Sequence, residues 1–201
     1  MTAIVRLGGS LARSGTLKDW LEPLASHGGG RVVLVPGGGV FADAVRDAQA
    51  SDGFSDLAAH RMAILAMEQY GLMLADLEPR FRLAASEGEI AAALTAGAVA
   101  LWLPSAMAFA APEIAASWEV TSDSLAAWLA RKIGARLLLL VKSAPAARPL
   151  DAAALAEQGL VDAAFPAYVA HAPFAWDYCG PGEQAKLLAA IAAMDAAPSG
   201  A

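Results

Sequence analysis

The chain has 201 residues, 57% of them hydrophobic, and a formal net charge of −6. That length buries one sizeable core and predicts one domain, while the acidic balance without a lysine–arginine cluster argues against nucleic-acid binding. One cysteine, Cys179, leaves no internal disulfide and no Cys/His spacing for zinc, and a start without a signal-peptide pattern predicts a cytoplasmic protein.

Ala3–Leu7 reads as a short strand, and Gly8-Gly9-Ser10 turns it into a helical segment around Leu17–Leu24. Arg31–Val35 is an unbroken apolar run, the pattern of a strand buried on both faces. Pro36 and Gly37-Gly38-Gly39 end it, and Val40–Ala50 resumes with helical spacing. A long helix opened by Ser55 or Asp56 reaches about Leu77. Ser86 with Glu89 forms a capping-box pattern for the next helix. Ile90–Pro112 carries no charge, but Gly97, Pro104, Ser105 and Pro112 interrupt it. It predicts a helix end and a buried strand, Ala98–Leu103, in preference to a membrane span. Ser105–Ser117 is less regular.

Thr121-Ser122-Asp123-Ser124 then opens an apolar helix through Leu125–Ala130, with hydroxyls and a carboxylate suited to capping it. Gly134 closes that helix, and Leu137–Val141 is another buried strand. Beyond Ser143 the prolines leave short helices, a strand at Phe174–Cys179, a helix at Glu183–Met194 and a frayed tail from Ala196. Strands alternating with helices predict an α/β fold, a three-layer αβα sandwich around a mainly parallel sheet.

Two glycine turns, each ending an apolar strand, point to backbone anion sites at the carboxyl ends of parallel strands. Arg6 lies just before the first, with a permanent charge and a fork suited to phosphate oxygens. Asp123 can orient that cation or Mg²⁺. Phosphoryl transfer needs mainly such positioning and charge neutralisation. Lys142, ending a buried strand, can reach nucleotide phosphates or stand as an ordinary loop lysine. Gly37, Gly39 and Ala42 also fit G-x-G-x-x-A, a weak dinucleotide signal that keeps a nicotinamide-dependent oxidoreductase as a third reading. No Gly-Lys-Ser/Thr follows any of these glycines, which excludes a Walker-type loop.

Val5-Arg6-Leu7-Gly8-Gly9-Ser10-Leu11, Val35-Pro36-Gly37-Gly38-Gly39 and Thr121-Ser122-Asp123-Ser124 together resemble the amino acid kinase family. His60–Met67 and Ser117–Ser124 resemble its methanofuran-biosynthesis branch, small kinases acting on aminomethylfuran-methyl phosphate. The resemblance covers about the first 140 residues. It implies ATP and Mg²⁺ as cofactors, with Gly8, Gly9 and Ser10 on the transferring phosphate. Gly37, Gly38, Gly39, His60 and Arg61 fall on the acceptor side, although His60 and Arg61 equally suit a helix surface or a dimer contact. Arg6, Asp123 and Lys142 are the catalytic candidates, and Thr121 and Ser122 lie on the nucleotide side. The domain would comprise an acceptor-side lobe, 1–118, and a reduced nucleotide-side lobe, 119–201. A homodimer or higher homo-oligomer is implied, with helix Leu57–Leu77 as a plausible interface, and a biosynthetic partner protein fits the same picture.

Two departures stand out. Members usually carry lysine at the place of Arg6, and a Thr-Asp-x-Asp-Gly-like turn where this chain has Lys142-Ser143-Ala144-Pro145. They motivate a rival expectation, a kinase-fold subunit that binds anions or nucleotide without catalysis. Lys186 is a distant match to a second family lysine and reads more simply as a solvated helix residue. His171 and Cys179 have no predicted partners.

Overall fold

A computed structural model describes residues 1–196, and the rest of the predicted tail, 197–201, lies outside the described residues. Among the described residues, β1 (Ala3–Leu7), β2 (Val32–Pro36), β3 (Phe81–Ala84), β4 (Val99–Trp102), β5 (Leu137–Val141) and β6 (Ala175–Cys179) form one sheet in the order β3-β4-β2-β1-β5-β6. Every pairing is parallel. The strands with neighbours on both sides are the apolar runs the sequence marks, because helices cover both faces of a parallel sheet.

The helices are α1 (Leu11–Ser14), α2 (Lys18–His27), α3 (Gly39–Asp52), α4 (Asp56–Leu77), α5 (Glu87–Thr95), α6 (Ser105–Ala108), α7 (Ser122–Lys132), α8 (Ala152–Glu157), α9 (Phe165–Val169) and α10 (Gln184–Ala196). Side chains two apart on a strand share a face, so each strand feeds two cores. Ile4, Val33, Ala100, Leu138 and Leu140 pack with α5, α7 and α9, where Trp102 stacks on Trp128 with ring centroids 6.1 Å apart. Val5, Leu7, Leu34, Leu139 and Val141 pack on the other side with Trp20, Leu24, Leu187 and Ile191. The long helix α4 serves both, through Ile64 and Met67 on one side and Tyr70 and Leu74 on the other.

Strand β3 is absent from the sequence-based expectations. It has four residues with only Phe81 and Ala84 buried, since it is a sheet edge with Arg82 and Leu83 exposed. The three layers and the parallel sheet are as expected. No helix among the described residues is long and apolar enough to cross a membrane.

The strand order reverses direction at β1. From it the chain moves to β2, on to the edge strand β3 and back to β4 between them, then crosses over to add β5 and β6 on the opposite side of β1. In open parallel sheets the crevice at such a switch point, outside the carboxyl ends of the strands, is where ligands sit. Here the loops flanking it begin at Gly8 and Lys142.

Candidate functional site

A charge inside a buried strand is costly unless it is paired, and β1 carries Arg6 near its carboxyl end. The pleat sends Arg6 the same way as Ile4, toward the layer containing α7. Its Nε and Nη2 donate to Ser122 Oγ at 3.2 and 2.7 Å, and its Nε lies 2.9 Å from Asp123 Oδ1. On β5 the same parity carries Leu138, Leu140 and then Lys142 toward α7. Lys142 Nζ donates to Asp123 Oδ2 at 2.7 Å. One buried carboxylate therefore bridges two cations from neighbouring strands. Because the Nε–H of Arg6 is aimed at Ser122, its contact with Asp123 Oδ1 is ionic, and that oxygen has no directed hydrogen bond.

The Thr121–Ser124 run reads as a helix that caps itself, yet Thr121 makes no such bond. The cap comes from Asp162, in the segment joining α8 to α9. Asp162 Oδ2 accepts from Thr121 N at 2.9 Å, Thr121 Oγ1 at 2.9 Å and Ser124 N at 3.0 Å. The Ser124 hydroxyl donates to Asp162 Oδ1. The backbone N–H of Asp162 in turn donates to Asp123 Oδ2 at 3.2 Å.

The electrostatics follow from this crowding. Burial opposes the charge of Asp123, but Arg6 and Lys142 override it and hold the carboxyl below the usual carboxylate range. Burial and the Arg6 charge bring Lys142 down to about 8, against the opposing pull of Asp123 and Asp162. Burial lowers His60, partly offset by a hydrogen bond with the Ser117 backbone. Burial pushes the Cys179 thiol up to about 12, the behaviour of an inert core residue.

The two glycine turns meet directly above this cluster. A Cβ on Gly9 would lie 2.2 Å from Gly39 N, and one on Gly37 would lie 2.4 Å from Gly9 N. Only glycine lets two backbones come this close. Gly39, at φ +53, also starts α3, and the first N–H groups of a helix have no partner within it. Ser10 Oγ and Ser143 Oγ share a hydrogen bond of 2.7 Å across the switch point.

A cleft of about 370 Å³ opens here, with Arg6, Ser122 and Lys142 at its base. Gly38, Gly39, His60 and Trp118 line it together with Ser10, Ser143, Gly159 and Leu160. Trp118 is fixed to α3 through Gln49, whose Oε1 accepts from its Nε1 at 2.6 Å, and by Arg46, 4.4 Å above its ring.

Arg6, Gly9, Ser10, Gly38, Gly39, His60, Thr121, Ser122 and Lys142 thus share one cavity. Asp123 is buried beneath it, 2% exposed. Gly8 and Gly37 do not line it; their N–H groups bond Val141 O and Leu7 O and hold the turns to the sheet. Arg61 points away from it, its guanidinium 5.6 Å from the Phe109 ring, because successive helix residues project about 100° apart. Lys186 bonds Asp177 and the Tyr178 carbonyl on β6 and does not line the cleft. Asp162, Ser143 and the Gly159–Leu160 wall were not foreseen. Each acts across a sequence gap that no local pattern spans.

Magnesium does not find a resident cage here. Among the described residues no group of three His, Cys, Asp or Glu side chains could hold a metal, and both oxygens of Asp123 face cations. Magnesium held here would take most of its ligands from phosphate oxygens and water.

Residues 1–146 match the sequence profile of the amino acid kinase family. The chain is 27% identical, over 138 residues, to the (5-(aminomethyl)furan-3-yl)methyl phosphate kinase of Methanocaldococcus jannaschii; the match covers 68% of this chain and 63% of that relative. Its fold is similar to that of uridylate kinase from Archaeoglobus fulgidus, with TM-score 0.67, 16% identity and 96% of each chain covered. It is similar also to UMP kinase from Bacillus anthracis, with TM-score 0.67, 14% identity and coverage of 94% of this chain and 92% of that one.

Proposed function

The chain belongs to the amino acid kinase family, and from the charged cluster at its switch point we propose that it transfers a phosphoryl group from ATP to a small acceptor bearing a phosphate or carboxylate. The observation that carries this reading is the Arg6–Asp123–Lys142 bridge beneath two glycine turns in backbone contact. A transferring phosphoryl group gathers charge on its outer oxygens, and catalysis consists of holding it in line and neutralising that charge. Arg6 and Lys142 supply fixed positive charge, and Asp123 keeps both in place. N–H groups of the Gly9–Ser10 turn and the α3 start would cradle the phosphates. The donor would lie toward Ser143 and Gly159–Leu160, bringing magnesium with it to offset phosphate charge. The acceptor would lie toward His60 and Trp118.

An aminomethylfuran-methyl phosphate is the acceptor we favour, by likeness to the M. jannaschii enzyme. Its ring would suit the apolar Ala63, Ile64 and Met67 wall, and its anion the Arg13 and Arg46 rim. A homo-oligomer built on the outer face of α4, where Leu57, Leu65 and Leu72 are exposed, belongs to the same proposal.

A second reading is favoured by one detail. The Arg6 fork is already held by Ser122 and Asp123, so the protein would bind nucleotide without transferring phosphate. Calorimetry with MgATP, followed by measurement of ADP release with and without acceptor, tests both. Saturable binding with acceptor-dependent ADP release supports the kinase. Binding without release under any phosphorylated or carboxylated acceptor supports the second reading, and no binding at millimolar MgATP refutes both.

A further inference from the structure

We propose that Asp162 is the positioning residue of this site, fixing the Asp123 carboxylate between Arg6 and Lys142 while tying it to the wall of the cleft. The inference rests on the phosphoryl-transfer reading. An ordinary helix cap is made by the residue that begins the helix. Here the cap arrives from 38 residues downstream of Ser124 and joins two separate segments. The Asp162 carboxylate takes up Thr121 and Ser124, which bracket Asp123 in the chain. Its own N–H donates to Asp123 Oδ2, the oxygen that also receives Lys142. The carboxylate that faces both cations therefore has its backbone and one of its oxygens set by a single distant residue. Gly159 and Leu160, just before Asp162, line the cleft. A ligand seated on that wall would thus press on the segment that aligns Asp123.

The test compares Asp162→Asn with Asp151→Asn in the full chain. Asp151 is a matched control, since its Oδ1 caps α8 by accepting Ala154 N at 2.8 Å and it takes no part in the cleft. With wild type, ¹³C NMR titration of the Lys142 side chain, assigned through Lys142→Arg, is recorded beside steady-state kinetics. Asp162→Asn is expected to lower kcat on the order of a hundredfold, the scale of a misplaced catalytic group, with KM for MgATP changed by less than about threefold. It also moves the Lys142 titration to lower pH, because the Asp162 charge supports the ammonium. Asp151→Asn leaves both unchanged. A Lys142 titration that superposes on wild type, or a kcat equal to that of Asp151→Asn, overturns the proposal.

If wild type phosphorylates no acceptor, the kinase reading fails by itself and the titration alone decides the role of Asp162. If Asp162→Asn does not fold, Ser124→Ala removes one hydroxyl donor to Asp162 and leaves every charge in place. It should still lower kcat, by about tenfold, and an unchanged kcat overturns the proposal equally.

Discussion

Gly9→Ala isolates the contact between the two turns. The added Cβ would stand 2.2 Å from Gly39 N and 2.5 Å from Gly39 Cα, both backbone atoms. No rotamer can relieve that clash. The turns must part by about 1.2 Å to restore ordinary van der Waals contact near 3.4 Å. Overpacking of this kind costs about 1–3 kcal/mol, which for a domain of this size lowers Tm by about 2–12 °C. The catalytic cost is larger in proportion, because a shift of about 1 Å in a positioning element lowers turnover on the order of a hundredfold. Gly88→Ala is the control: it sits in the first turn of α5 with nothing near its Cβ, and alanine favours a helix. Differential scanning calorimetry and steady-state kinetics of the two variants test the argument. A Gly9→Ala protein that melts with Gly88→Ala and turns over within about twofold of it would refute the steric reasoning.

Asp123→Asn removes the shared partner of two buried cations, and a truncation of that kind costs about 3–5 kcal/mol; urea unfolding should show it, together with a collapse of kcat. Wild-type stability and turnover would show that the bridge is idle. Arg6→Lys keeps the charge, but one ammonium cannot donate twice to Ser122 Oγ and also face Asp123. We expect kcat to fall about tenfold or more, and an unchanged or higher value would show that the Ser122 grip contributes nothing. With Lys142 near 8, kcat should decline above pH 8 as the ammonium loses its proton. Stability moves the opposite way: the pKa is lowered on folding from 10.5, so the unfolded chain holds more protons between about 8 and 10.5 and the Lys142 contribution improves as pH rises through that window. Profiles of kcat and Tm against pH, set beside those of Lys142→Met, check both signs.

The buried strands were legible because their role leaves a continuous apolar run: Ala3–Leu7 and Leu137–Val141 match the structure end to end. The other two interior strands differ by a residue at their ends, and Pro36 closes β2 where the sequence reads as the break after it. Strand β3 was hidden by its position, since an edge strand of Phe-Arg-Leu-Ala exposes its middle and loses the pattern. The glycine turns were legible as turns, and their convergence followed from parallel strands sharing one end. Their mutual contact was not, because it depends on the spacing of β1 and β2. His60 and Arg61 show the limit of reading neighbours together, as one enters the cleft and the other stacks on Phe109. The hydroxyls before Asp123 were read as caps from a true local preference. A stronger acceptor, Asp162, takes up the hydroxyl of Thr121 before Asp123 and that of Ser124 after it, together with the Ser124 N–H that Thr121 would otherwise have served.

The position of β1 also sets an order of events during synthesis. This strand leaves the ribosome well before β5, yet it lies between β2 and β5 and pairs with residues as distant as Leu137 and Val141. At about 5–20 residues per second, β5 emerges on the order of ten seconds later. Until then the β1 edge that will pair with β5 has no neighbour, and for most of that interval the Arg6 guanidinium, on one face of the strand, has neither Ser122 nor Asp123 to meet. A half-made sheet with an open strand edge is sticky, and a permanently charged side chain near that strand's end keeps it in water while it waits. A cation of the finished site would then also act as a gatekeeper for the nascent chain.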